Sequence, residues 1–344
     1  MNFADQITGQ EQMPNTKYLV HDNGVVEIDL ESAYLLYQTL ENMESVSTNP
    51  DDYDEETGLH QLSKLIEVKT PDESHVIKFT THSGCIFSHT VDGVETIYPT
   101  MPAGRPHEPG DILRGGELSP YPHVCEDLKY STENIVNYHG WLARSLTFPV
   151  TLDYNNGVFI FALSPKHIAS PHEDGHMVFV SYLIEENGSY VKTLQTFNFG
   201  RTDIYLNEGY HPYIDTRNNK VLNVSIGGIS HRIEQLADRF KTLDRILLNG
   251  SFNKFSKYLN RNLFPEIIIN TKNFDVLVQP VAGFSENSTI ALWTESRGKF
   301  ICPEFIRVED QPLNPKKKNH GYAVVKPGGT EFFAVKMSIA NKVS

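Results

Sequence analysis

Residues 141–165 read WLARSLTFPVTLDYNNGVFIFALSP, and this stretch carries the clearest structural signal in the chain. Apolar and polar residues alternate over 145–152, a period of two that predicts a half-buried strand. Residues 153–157 have turn chemistry, and 158–163 form a continuous apolar run that is typical of a fully buried strand. More segments of this kind follow, so the sequence predicts an all-β protein built as a β-sandwich.

The composition fits a large folded β-protein. The chain has 344 residues, with 19 Phe and 16 Tyr, which favour strands, and this length allows a sizeable core. No apolar stretch reaches the length of a membrane span, and MNFADQITGQEQMP at the start lacks the regions of a secretory signal. Three scattered cysteines, at 85, 125 and 302, form neither a zinc spacing nor a disulfide framework and indicate a reducing compartment.

The net charge of −13 is concentrated at the N-terminus. Residues 1–60 contain 13 acidic residues and only Lys17 as a basic one, so the other 284 residues sum to −1. This argues against an N-terminal arm that binds nucleic acid. Residues 311–344 are basic, with six lysines and only Glu331, and could contact RNA or form a solvated lysine face. We expect an acidic N-terminal extension with a short helix over 1–60, a β-sandwich over 61–310 and a basic C-terminal extension over 311–344.

Two segments have helical periodicity. Asp29 is predicted to cap a helix that runs to about Met43. Apolar residues step by three and four from Ile233 to Leu247, which predicts a second helix. Pro and Gly predict a long loop at 99–123. Further strands are expected at 64–68, 75–80, 176–184, 190–199, 204–206, 220–226, 274–278, 288–293, 299–302, 323–325 and 332–337.

The order of these segments resembles the jelly-roll capsid proteins of picorna-like RNA viruses. Residues 62–79 are similar to the opening strand of such domains, 140–165 to a pair of strands, and 274–305 to the closing pair. The resemblance implies an antiparallel jelly-roll β-sandwich that assembles with sibling subunits, homo- or hetero-oligomerically, into an icosahedral shell through large interfaces. It also implies a virion protein made in the host cytoplasm, without catalytic residues, cofactor or membrane contact. A phage head or tail accessory protein is a further alternative.

A dioxygenase is the competing interpretation. His172 and Asp174 form a His-x-Asp pair before a predicted strand, and His231 follows 57 residues after Asp174. Two His and one carboxylate form the triad that holds Fe(II), and the set is similar to that of 2-oxoglutarate-dependent dioxygenases on a double-stranded β-helix. Arg239 or Lys241 would then pair with the co-substrate. The helical spacing after His231 weighs against this interpretation, because the enzyme needs a strand there.

Isolated histidines and tryptophans are expected to be structural. His139, His211 and His320 are predicted to be hydrogen-bonded surface or core residues, and Trp141 and Trp293 are predicted to be core aromatics. The sequence therefore favours a structural role over an enzymatic one.

Overall fold

The structure is a computed structural model that describes residues 16–42, 61–98, 115–121, 128–131, 134–136, 142, 145–163, 175–232, 245–248, 265–285, 288–293, 299–307 and 323–342. The one α-helix of this part of the chain, α1, is Leu30–Glu41. The strands are β1 Tyr18–Val20, β2 Val26–Ile28, β3 Leu65–Lys69, β4 His75–Thr80, β5 Cys85–Val91, β6 Val94–Glu95, β7 Glu117–Leu118, β8 Leu128–Ser131, β9 Asn134–Val136, β10 Phe148–Asp153, β11 Val158–Leu163, β12 His176–Ile184, β13 Tyr190–Asn198, β14 Ile204–Leu206, β15 Gly209–Pro212, β16 Ile214–Asp215, β17 Val221–Ile226, β18 Ile229–Arg232, β19 Arg245–Leu248, β20 Ile267–Thr271, β21 Phe274–Ala282, β22 Thr289–Trp293, β23 Phe300–Ile306, β24 Ala323–Val325 and β25 Thr330–Asn341. Within these ranges no helix is long and apolar enough to cross a membrane.

The largest sheet has nine antiparallel strands in the order β10-β11-β12-β13-β25-β21-β20-β17-β18. The stretch 141–165 supplies β10 and β11, which pair from Phe148↔Ala162 to Asp153↔Val158. Every residue of β11 is buried, while β10 is mostly half-buried. The strand–turn–strand prediction is therefore confirmed.

Besides three two-stranded sheets, the described residues form two further sheets that share an apolar core with the largest one. One has six strands in the order β19-β22-β23-β15-β7, with β16 also pairing β23, and the other has four in the order β3-β4-β5-β6. One apolar cluster contains residues of all three sheets, including Phe79 on β4, Phe159 on β11 and Phe305 on β23. The rings of Phe79 and Phe159 lie 5.3 Å apart. Burial of this large cluster is the main stabilising term of the fold.

The N-terminal hairpin and α1 cover the opposite face of the nine-stranded sheet. Side chains alternate along a strand, so Val178 of β12 joins the central cluster while Phe179 joins a second cluster with Leu36 and Leu40 of α1. The Asp29 side chain caps the helix by accepting a hydrogen bond from the Ser32 N–H at 2.9 Å. The first predicted helix is confirmed.

The second predicted helix is wrong at its C-terminal end. Residues 229–232 form β18 and 245–248 form β19, while 233–244 lie outside the described residues. In β19, Leu247 pairs with Ala291 of β22, so pairing with a distant strand overrides the local helical spacing. The loop predicted at 99–123 is described only over 115–121, which contain β7.

The all-β, antiparallel prediction is confirmed, whereas jelly-roll connectivity stays a prediction. The division at residues 60 and 310 also stays a prediction. Strand β25 lies beyond residue 310, and it is the central strand of the nine-stranded sheet, between β13 and β21.

Candidate active site

A histidine and a glutamate lie side by side on two neighbouring strands of the six-stranded sheet. Strands β15 and β23 pair as Gly209↔Ile306 and Tyr210↔Phe305, so the next step of this register places His211 beside Glu304. Nε2 of His211 lies 3.4 Å from Oε1 of Glu304, and the two side chains are only 4% and 3% exposed. The strands therefore hold a group that can donate a proton beside one that can accept it.

Strand alternation explains why this pair points away from the central core. Tyr210 and Phe305 belong to the large apolar cluster. Successive side chains of a strand point to opposite faces, so His211 and Glu304 lie on the other face of the six-stranded sheet. That face also carries a separate cluster that includes Tyr213 and Phe300.

Aromatic rings surround His211. The ring of Tyr213 stacks on it with centroids 4.8 Å apart and planes 24° apart, and Trp293 meets it edge-on at 5.9 Å. Trp293 also lies 5.0 Å from Phe300 and 6.0 Å from Tyr213. Trp293 is only partly buried, so an apolar surface adjoins the pair of His211 and Glu304, called the proton-transfer pair below.

An ion pair between Arg217 and Asp215 lies at the border of the aromatic cluster that contains Tyr213, Phe300 and Trp293. Arg217 donates to both carboxylate oxygens of Asp215, with its Nη2 at 2.5 Å from Oδ2 and its Nε at 3.1 Å from Oδ1. The hydrogen bonds to Asp215 raise the pKa of Arg217. The guanidinium lies 4.7 Å above the ring of Tyr98, which contacts Phe300 at 5.3 Å. This pair fixes the border of the cluster and does not present a free positive charge.

A second, fully buried ion pair supports β15 from the inside. Glu117 of β7 pairs with Pro212 in the strand register, and Lys192 reaches it from the nine-stranded sheet. The Lys192 ammonium donates to the Glu117 carbonyl at 2.9 Å and lies 3.8 Å from its Oε1. Burial raises the pKa of Glu117 to about 7 against the opposing effect of Lys192, and burial lowers the pKa of Lys192. The pair links the two large sheets directly behind the site.

Of the residues predicted to form the iron site, only His231 lies in the described part of the chain. His172 and Asp174 lie outside the described residues, as do Arg239 and Lys241. His231 is on β18, at one edge of the nine-stranded sheet, where it pairs with Val224. Within the described ranges no group of three His, Cys, Asp or Glu could hold a metal ion. The iron-binding set stays a prediction.

The pair of His211 and Glu304 is not apparent from the sequence. The sequence predicts structural roles for His211 and Trp293 and gives no role to Glu304. One signal was available, because Glu304 interrupts the otherwise apolar strand FICPEFI at 300–306. A carboxylate in a fully buried strand is rare unless it is paired or functional. His139, His320 and Trp141 lie outside the described residues.

Comparison with solved structures identifies the fold. The structure is similar to that of the Slr1438 protein from Synechocystis sp. PCC 6803, with a TM-score of 0.60 and 15% identity over 87% of this chain and 100% of the other. It is similar to a galactose mutarotase-related enzyme from Lactobacillus acidophilus, with a TM-score of 0.59 and 12% identity over 81% and 98% of the two chains. It is also similar to a GalM/aldose epimerase homologue from C. elegans, with a TM-score of 0.54 and 9% identity over 82% of this chain and 100% of the other. The chain therefore has the β-sandwich fold of the mutarotase-like proteins.

Sequence comparison alone gives no family. No protein-family model matches the chain, and no curated protein matches it significantly.

The capsid interpretation is wrong. The structural neighbours are mutarotase-like and aldose epimerase-related proteins of bacteria and a nematode, not capsid proteins. The same neighbours overturn the virion location, the dioxygenase and the phage accessory protein. Alternating strands that end near Pro occur in many antiparallel sandwiches, so the resemblance reflected sandwich architecture rather than a virus family. Subunit partners and RNA contact by the basic tail stay predictions.

Proposed function

We propose that this protein is an aldose 1-epimerase, an enzyme that interconverts the α and β anomers of a pyranose at C1. The observation that carries the proposal is the buried pair of His211 and Glu304, 3.4 Å apart on one face of a mutarotase-like fold. Galactose and related aldohexoses are the proposed substrates, since the neighbours include galactose mutarotase-related and aldose epimerase-related proteins.

The reaction needs one base and one acid, each at an oxygen attached to the same carbon. Glu304 accepts the proton of the C1 hydroxyl while His211 donates a proton to the ring oxygen, and the bond between C1 and the ring oxygen breaks. The open-chain aldehyde then turns about the C1–C2 bond. Glu304 then returns its proton to the oxygen on C1, and His211 takes back the proton of the hydroxyl that was the ring oxygen. That oxygen attacks the opposite face of C1, and the ring closes as the other anomer. The protons balance, and both groups end in their starting states.

The geometry of the pair suits this transfer. The two oxygens of the anomeric carbon lie closer together than hydrogen-bonded atoms do, so two groups 3.4 Å apart can each reach one of them. Both side chains sit on paired strands, which hold catalytic groups more firmly than loops do. Burial of the pair also strengthens its electrostatic interactions with a substrate.

Polarimetry tests the proposal. The wild-type protein should accelerate the mutarotation of freshly dissolved α-D-galactose or α-D-glucose above the spontaneous rate. Glu304→Gln and His211→Asn remove the base and the acid, and each should lower kcat by about 10²–10⁴-fold. His21→Gln, which alters a 41%-exposed histidine, is the matched control and should keep wild-type activity.

Two results would overturn the proposal. One is a wild-type protein that leaves the mutarotation rate of every aldohexose at the spontaneous value. The other is full activity in both site variants, each shown to be folded by circular dichroism.

A further inference from the structure

We propose that Trp293 is the stacking platform for the sugar and sets which pyranoses the site accepts. This inference rests on the proposed function, and it assigns the residue that orients the substrate rather than the residues that transfer protons.

The strand register brings Trp293 to the proton-transfer pair. Ala291 of β22 pairs with Glu304, and Trp293 pairs with Cys302 two residues further along both strands. Residues two apart on a strand share a face, so Trp293 lies on the same face as Glu304. Its ring centroid is 5.9 Å from that of His211. The indole therefore lies beside both groups that would act on C1.

Neighbouring rings fix the orientation of the indole. Trp293 meets His211 at an interplanar angle of 64°, Tyr213 at 84° and Phe300 at 40°. Tyr213 and Phe300 are almost completely buried, with exposures of 3% and 2%, whereas Trp293 is partly exposed. Of these three rings, Trp293 is the one that offers surface to a ligand. The edge-to-face contacts with His211 and Tyr213 hold the indole in place.

The chemistry of a pyranose matches such a surface. Each face of the ring carries C–H groups, and its hydroxyls point mainly outward, so one face can pack on an indole while the rim makes hydrogen bonds. An aromatic ring has a negative face that attracts these polarised C–H groups. An axial hydroxyl on the stacked face interrupts the contact. We expect Trp293 to prefer sugars that offer an unbroken C–H face, and to set the ring with O1 and the ring oxygen toward the pair.

Kinetics separate this role from catalysis. Stacking acts on the bound sugar and on the transition state alike, so its loss raises KM more than it lowers kcat. Trp293→Ala should raise KM by about tenfold, and Trp293→Phe should recover part of the affinity. Tyr154→Ala removes a 57%-exposed aromatic on the turn between β10 and β11 and is the matched control, with an unchanged KM.

Fluorescence gives a readout that does not depend on turnover. The chain has two tryptophans, Trp141 and Trp293. Titration with D-glucose or D-galactose should change the emission of the wild type saturably, and Trp293→Phe, which keeps Trp141, should lose that change.

The combined results distinguish the two proposals. Saturable emission from Trp293 without accelerated mutarotation would support the platform and overturn the epimerase. Accelerated mutarotation with wild-type KM in Trp293→Ala would overturn the platform and leave the epimerase standing. Absence of both sugar binding and turnover would overturn both.

Discussion

A buried histidine pair in the four-stranded sheet should make this fold sensitive to acid. Nε2 of His89 on β5 lies 3.0 Å from Nδ1 of His75 on β4, and His89 has no exposed surface. Burial disfavours the imidazolium form, and the neighbouring His75 adds repulsion, so the pKa of His89 is lowered to about 3. Burial also lowers the pKa of His75, against the opposing charges of Asp72 and Asp92.

The size of the effect follows from proton linkage. Below pH 6.5 the unfolded chain protonates this histidine while the native state does not, so the free energy of unfolding falls as the pH falls. With a pKa of 6.5 in the unfolded chain and about 3 in the native state, His89 alone lowers the stability by about 2 kcal/mol between about pH 7.5 and about pH 5. The loss approaches about 5 kcal/mol below pH 3.

Urea unfolding of the wild type and of His89→Gln at these two pH values measures the effect. Glutamine keeps an amide that can hydrogen-bond His75, but it does not titrate. The wild type should lose about 2 kcal/mol more than the variant between the two pH values. Glu117, whose raised pKa acts in the opposite direction, is present in both proteins and cancels. His21→Gln, at an exposed histidine, should behave as the wild type, and equal losses in the wild type and His89→Gln would refute the reasoning.

Two further predictions concern buried charge and backbone conformation. Above about pH 8, Glu117→Gln leaves the Lys192 ammonium buried without its carboxylate and should cost about 3–5 kcal/mol, whereas adding Lys192→Met should restore much of that stability. Denaturant unfolding tests this, and a double variant no more stable than the single one would contradict it. Gly157→Ala should lower the melting temperature more than Gly93→Ala. Both glycines have positive φ, but a Cβ at 157 would lie 2.3 Å from the Ile184 carbonyl oxygen, while one at 93 meets nothing within 4 Å. Equal shifts in thermal unfolding would be the contrary result.

Local sequence patterns predicted the strands well, because each pattern records which faces of a strand are buried. The alternation over 145–152 and the apolar run over 158–163 describe the half-buried β10 and the fully buried β11. Helix α1 was predictable from the Asp29 cap and its spacing. The strand at 245–248 was not predictable, because its apolar residues fit a helix equally well. It forms a strand because it pairs with β22.

The candidate site was beyond local patterns. His211 and Glu304 are 93 residues apart, and they meet only because β15 pairs with β23 in one register. A single sequence does not encode strand pairing in any short motif, so neither residue stood out as part of a pair. Trp293, a tryptophan at the end of a predicted strand, is expected from the sequence to be a core aromatic, and only the register places it beside Glu304.

That register is itself secured by a buried ion pair at one end of the two strands. The Arg307 N–H donates to the Glu208 carbonyl at 3.1 Å, and the Arg307 guanidinium donates to both Glu208 carboxylate oxygens at 2.9 and 2.7 Å. Glu208 directly precedes β15, and Arg307 directly follows β23. A slip of one residue would break this bidentate contact and would also turn His211 or Glu304 toward the core. The ion pair therefore favours the register in which His211 and Glu304 meet, and the fold specifies the site through strand pairing rather than through a local sequence motif.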